Sequence, residues 1–149
     1  MGNAWGVFTG EYRHTIDAKG RLAVPARFRA ELAGAAYVCR WIDGPIGIFP
    51  RAAWEELAGQ VGSLARIGDA RARELARSIF STAYDVELDG QGRVLLPAGL
   101  RELVGLGTDA VVIGLNDHVE VWPPERWATY SAALNDPAEL AARMSGLGI

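Results

Sequence analysis

One cysteine, one lysine and two histidines are all that 149 residues hold of those types, and each scarcity closes off a class of function. Cys39 stands alone, so neither an intrachain disulfide nor an all-cysteine metal site is possible. His14 and His118 fall in no nucleophile motif. There is no phosphate-cradling glycine loop of the P-loop or dinucleotide-binding type. The expectation is therefore no catalytic residue, no metal site and no cofactor. No apolar run approaches the ~20 residues that cross a bilayer. Met1 to Gly20 has neither the apolar core nor the cleavage pattern of a signal peptide. A cytoplasmic protein is expected.

What is present is an ordinary globular balance, 50% hydrophobic and 22% charged. The length suits one well-filled core rather than two. The net charge of −3 argues mildly against a nucleic-acid partner. Net charge is a poor summary, however, because the position of the basic groups decides what they attract.

The chain is an internal duplication. Tyr12, Asp17, Gly20, Arg21, Pro25, Ala26 and Arg29 recur as Tyr84, Asp89, Gly92, Arg93, Pro97, Ala98 and Arg101, a constant offset of 72. Apolar Ile16, Leu22 and Val24 recur as Leu88, Val94 and Leu96. After one extra residue, I-G-I-F-P-x-x-x-W from Ile46 to Trp54 matches V-E-V-W-P-x-x-x-W from Val119 to Trp127.

Each copy reads as hairpin, helix, hairpin. Tyr12, His14 and Ile16 alternate with Arg13 and Thr15, the period of a strand. Asp17-Ala18-Lys19-Gly20 is turn chemistry, and Arg21 to Val24 is a second short strand. Pro25 opens a short helix over Ala26 to Leu32. Ala36 to Ile42 and Ile46 to Phe49 are strands around an Asp43-Gly44-Pro45 turn. Between the copies, Pro50 to Gly62 carries a Trp54, Leu57, Val61 stripe, and Asp69 caps a helix to Ser81. Pro124 to Leu134 mirrors the first of these, and beyond Asn135 an Ala- and Gly-rich tail is expected to fray. A unit of ~40 residues is too small to close a core alone. The halves should interleave their hairpins about a pseudo-twofold axis, giving one α+β, mainly β, domain over residues 1–149.

These motifs resemble the MraZ family. The resemblance rests on the paired D-x-x-x-R segments, Asp17 to Arg21 and Asp89 to Arg93. It also rests on F-x-G-E-Y (Phe8 to Tyr12), G-R-L-x-V-P (Gly20 to Pro25) and W-P-x-E-R-W (Trp122 to Trp127). It covers roughly Val7 to Tyr130. Members usually begin close to the F-x-G segment, whereas this chain carries Met1 to Gly6 before it. The resemblance implies an AbrB-like swapped-hairpin, double-psi-type barrel of two SpoVT-AbrB repeats. These would span 11–53 and 83–126, with inter-repeat helices at 54–82 and a helix and tail at 127–149. It implies a ring-shaped, octamer-like homo-oligomer that binds tandem direct repeats in promoter DNA. The implied role is a nucleoid-associated repressor of the division and cell-wall gene cluster, its own promoter included.

The candidate DNA-contacting residues are Arg13, Asp17, Lys19, Gly20 and Arg21 in the first copy, and Asp89, Gln91, Gly92 and Arg93 in the second. A two-stranded ribbon fits the major groove, where arginine reads guanine bidentately. From Glu11 to Arg29 five basic residues face two acidic ones, while from Ala83 to Arg101 two face three. The first copy should supply more of the attraction to phosphate. The competing reading is plain: each Asp and Arg pair across a tight turn, contributing roughly 0–1 kcal/mol. Both roles together are favoured, with Asp orienting the Arg that reads DNA. For Arg29 and Arg101 structural pairing and phosphate contact stand level. Arg71, Arg73 and Arg77 read as a solvated helix face, and Trp54, Trp122 and Trp127 as packing. An AbrB-fold assembly or antitoxin-like protein-binding module is the alternative to a DNA-binding regulator.

Overall fold

The computed structural model describes residues 8–149, so the Met1 to Gly6 stretch before the F-x-G segment lies outside the described residues. In the first copy, β1 (Glu11–Thr15) and β2 (Arg21–Ala23) flank the first D-x-x-G-R turn. A 3-10 turn at Ala26–Phe28 then runs into α1 (Arg29–Leu32), followed by β3 (Ala35–Arg40) and β4 (Ile46–Pro50). The second copy repeats this as β5 (Tyr84–Glu87), β6 (Arg93–Leu95), α4 (Ala98–Val104), β7 (Asp109–Gly114) and β8 (Val119–Trp122). Between the copies stand α2 (Arg51–Ile67) and α3 (Ala70–Phe80); after them come α5 (Pro124–Ala132) and α6 (Pro137–Gly146).

The two copies do interleave. β1 pairs antiparallel with β7 of the second copy, and β5 pairs with β3 of the first. The open six-stranded sheet runs β1-β7-β8-β4-β3-β5. Exchanging the copies reverses that order and leaves it unchanged. β2 and β6 leave the sheet and pair with each other, one from each copy. Within the first copy no ladder joins β1 and β2; the arms of the turn meet at the Ile16–Leu22 bridge and where the Asp17 amide donates to the Arg21 carbonyl at 3.0 Å.

The duplicated apolar positions explain the exchange. Leu22 and Val94, Val24 and Leu96, Phe28 and Leu100, Leu32 and Val104 are all buried in one shared core. Ile46 with Val119 and Ile48 with Val121 join it from the central strands. Burying such a side chain fully contributes roughly 1.5–3 kcal/mol, and neither copy can enclose its own set. Phe28 sits at the centre of an aromatic group, with Phe8 and Tyr12 edge-on at 5.2 and 5.3 Å.

The helices cover the outer sheet surface unequally. The α2–α3 pair closes over Cys39, Phe49 and Trp54, with Tyr37 stacked on Trp54 at 5.1 Å. α5 places Trp127 and Tyr130 against Trp122. The three tryptophans expected to pack therefore do so.

Two stretches differ from expectation. α2 runs on through Gly59 and Gly62 to Ile67, because each glycine costs a helix interior only about 1 kcal/mol. The tail beyond Asn135 is helical rather than frayed. The Asp136 side chain accepts from the Ala138 amide at 2.9 Å, and Pro137 holds the first helical position. That local start signal outweighs a composition rich in small residues. α6 is exposed along its whole length.

Candidate nucleic-acid interface

Each D-x-x-G-R segment folds as a ring around its aspartate. The Asp17 Oδ1 accepts from the Lys19 amide at 3.0 Å and the Arg21 amide at 2.9 Å. Its Oδ2 accepts from Arg21 Nε at 2.7 Å. Asp89 repeats the pattern, with the Gln91 amide at 2.9 Å, the Arg93 amide at 3.0 Å and Arg93 Nε at 2.9 Å. Gly20 and Gly92 close the turns at φ of +88° and +75°, a region that side chains with a Cβ resist. The spacing follows from this geometry: the carboxylate needs two amides two and four residues ahead, and the glycine supplies the reversal between them.

The fold brings both turns to one ribbon. Arg21 faces Leu95 across β2–β6, and Ala23 faces Arg93. Leu22 and Val94 point inward and are fully buried. By strand alternation Arg21, Ala23, Arg93 and Leu95 therefore share the outer face. Leu95 is 54% exposed there. The two arginines are diagonal neighbours, and Arg93 Nη1 reaches Asp17 Oδ2 at 3.8 Å. Asp17 thus holds one arginine from each copy.

The carboxylates stay ionised well into acid. The Arg21 backbone amide, helped by the Arg21 guanidinium and the Lys19 amide, outweighs desolvation and holds Asp17 below the usual carboxylate range. The Arg93 and Gln91 amides and the Arg93 guanidinium do the same for Asp89. Each arginine engages its own aspartate through Nε, the inner nitrogen of the fork. Among the described residues the Nη atoms of Arg21 make no hydrogen bond or ion pair, and only its Nε is taken by Asp17. The pairing across each tight turn is therefore present, and it fixes the guanidinium through Nε.

Lys19 and Gln91 lie exposed at the two turn tips, and Gly20 and Gly92 are buried beneath them. Arg13 is placed elsewhere. It sits on edge strand β1, beside Glu11 at 3.6 Å, in a groove with His14, Thr15, Asp109 and Pro124. Strand alternation sends its side chain away from the ribbon, so the turn cluster forms without it.

Sequence reasoning left Arg29 and Arg101 undecided and passed over Leu95. Arg29 Nε donates to the Val24 carbonyl and Arg101 Nε to the Leu96 carbonyl, each at 3.0 Å. Their recurrence at the same offset as the turn residues was the signal available. A second overlooked group is His118, buried beside Asp117 at 2.8 Å and Glu120 at 3.6 Å and stacked on Phe49. Arg71 and Arg73 are exposed and bond within α3 and its cap, to Asp69 and the Gly68 carbonyl. Among the described residues no group of three or more His, Cys, Asp or Glu side chains is arranged to hold a metal ion. None of the described helices is long and apolar enough to cross a membrane.

Comparison with known proteins agrees with the duplicated architecture. The family model described as "MraZ protein, putative antitoxin-like" matches residues 7–76 and again residues 79–146. A protein of Roseiflexus castenholzii is 50% identical over 137 residues, covering 92% of this chain and 95% of its own length. One of Herpetosiphon aurantiacus is 42% identical over 144 residues, covering 96% of this chain and all of the relative. One of Limosilactobacillus fermentum is 43% identical over 142 residues, with 95% and 99% covered. All three are named transcriptional regulator MraZ, a regulator rather than an enzyme. Two matched repeats, full-length identity at this level and a D-x-x-G-R turn in each half make this chain a member of the MraZ family.

Proposed function

We propose that this chain is a transcriptional regulator that binds DNA through the β2–β6 ribbon. The observation that carries the reading is the pairing of two aspartate-oriented arginines on one exposed two-stranded face. A ribbon of this width enters a major groove about 12 Å across, and an oriented guanidinium reads guanine O6 and N7. The names of the relatives support the regulatory role. Arg21 and Arg93 read bases in this scheme. Lys19 and Gln91 at the turn tips approach the backbone, Gly20 and Gly92 shape the turns beneath them, and Asp17 and Asp89 hold the arginines. Arg13, on its separate face, adds long-range attraction.

The finer reading rests on the family resemblance. Residues 11–53 and 83–126 form the two repeats, and the operator is a set of direct repeats at about one helical turn, ~10–10.5 base pairs. A ribbon of two short strands falls short of the ~1,000–2,500 Å² that specific interfaces bury. A ring of copies supplies the remainder through effective concentration. The target is the division and cell-wall cluster, with the chain's own promoter repressed, in the cytoplasm at the nucleoid.

A mobility-shift titration on the region upstream of the chain's own gene tests this. Arg21→Ala and Arg93→Ala should each weaken specific binding by ~1–3 kcal/mol, with circular dichroism unchanged. Unaltered affinity in the double variant removes the DNA-binding reading and favours a protein-binding module. Half-turn changes in repeat spacing should abolish tight binding if the ring reading is right.

A further inference from the structure

We propose that Arg29 and Arg101 are positioning residues for the DNA-reading turns, and that each acts on the turn of the opposite repeat. The inference rests on the ribbon being the DNA-binding face. Its physical content, the brace itself, is separate.

Start with the anchor. Arg29 Nε donates to the carbonyl of Val24, and Arg101 Nε to the carbonyl of Leu96, each at 3.0 Å. Those carbonyls immediately precede Pro25 and Pro97. A bond through Nε fixes the plane of the guanidinium, not merely its charge. That plane lies on a glycine from the other copy. A Cβ on Gly20 would stand 2.6 Å from Arg101 Nη2 and 2.9 Å from its Cζ. A Cβ on Gly92 would stand 2.6 Å from Arg29 Cζ and 2.7 Å from its Cδ. The glycines are therefore needed twice, for positive φ and for the seat of a guanidinium.

The main chain closes the circuit. The Val24 amide donates to the Gly92 carbonyl at 3.0 Å, and the Leu96 amide to the Gly20 carbonyl at 2.9 Å. Val24 thus holds Gly92 through its amide and Arg29 through its carbonyl, with Arg29 laid over Gly92. The mirror circuit joins Leu96, Gly20 and Arg101. Among the described residues neither guanidinium meets a carboxylate within ion-pair distance, so pairing does not explain them. Each turn is braced from behind by the other repeat, through its own circuit.

Arginine and lysine separate this role from phosphate contact. Lysine keeps the charge but has no Nε–H and no planar group to cover a glycine. In the full-length protein, Arg29→Lys should lose about tenfold in affinity for a duplex carrying the chain's own upstream region. That loss should vanish in an Arg93→Ala background and persist in an Arg21→Ala background. Arg101→Lys should couple to Arg21 and not to Arg93. Hydrogen exchange reads the brace without DNA. Arg29→Lys should speed exchange of the Gln91 and Arg93 amides about tenfold while leaving the Lys19 and Arg21 amides unchanged. Full retention of affinity and of exchange protection in the lysine variants overturns the proposal, and so does coupling confined to the same repeat. If Arg21→Ala and Arg93→Ala do not weaken DNA binding, the DNA reading fails, and the exchange pattern alone then decides for or against the brace.

Discussion

Asp17→Asn is the most informative single change, because two lines of physics give it opposite signs. Taking a negative charge from a DNA-facing ribbon should strengthen binding. A phosphate roughly 10 Å away repels a carboxylate by about 0.4 kcal/mol in water, and by less once salt near 0.15 M screens it over about 8 Å. Against this stands orientation. The substituted side chain would still accept the Lys19 and Arg21 amides through its oxygen, but its NH2 group would face Arg21 Nε, donor against donor. Arg21 is released, and Arg93 loses the same oxygen 3.8 Å from its Nη1. Re-immobilising a long side chain on binding costs about 0.5–1.5 kcal/mol, so two arginines cost roughly 1–3 kcal/mol. Orientation outweighs charge several-fold for specific DNA. Asp89→Asn frees only Arg93 from its own turn, and should cost about half as much. Non-specific binding uses charge and not orientation, so it should tighten slightly in both variants. Fluorescence anisotropy with specific and scrambled duplexes at about 0.15 M salt reads both quantities. An Asp17→Asn protein that binds the specific duplex as tightly as the parent refutes the reasoning.

Three further predictions concern the body of the fold. Phe28→Ala removes a fully buried ring and its two edge-on partners, and should destabilise the protein by ~3–5 kcal/mol in denaturant titration. Burial pulls His118 down, but the Glu120 and Asp117 carboxylates outweigh it and leave it above its ordinary 6.5. Its charged pairing is therefore fully present below that value and lost as pH rises through the raised one, so Tm should fall across that window in the parent and not in His118→Phe. Burial pushes the Cys39 thiol up to about 12, so a thiol reagent at neutral pH should modify it only after denaturant has opened the α2–α3 cover.

Much of this was legible in the sequence. The repeat, at an offset of 72 over the first hairpin and 73 from Ile46 on, marks both copies of these segments and their buried apolar pairs, since alternation and turn chemistry are local. Interleaving also followed, from the inability of ~40 residues to close a core. What remained hidden depends on the partner of each strand. Arg29 looked equally suited to phosphate because its seat, Gly92, comes from the other copy. Leu95 carried no signal of its own, and only the β2–β6 register shows that it faces outward. Arg13 was grouped with Arg21 by proximity in sequence, whereas the pleat of β1 sends it to another face. Buried His118 has no matching histidine in the first copy, so the repeat offered no hint of it.

The exchange of strands has a consequence for synthesis. β1 leaves the ribosome well ahead of its ladder partner β7, which lies about a hundred residues downstream. At ~5–20 residues per second that is an interval of roughly 5–20 s in which β1 has no strand to join. β2 likewise waits for β6. The first repeat cannot be finished and then copied; its outer strands stay open until the second repeat is made. Folding is thereby tied to synthesis of the second repeat, and a product cut short before β7 has no β1–β7 ladder to form.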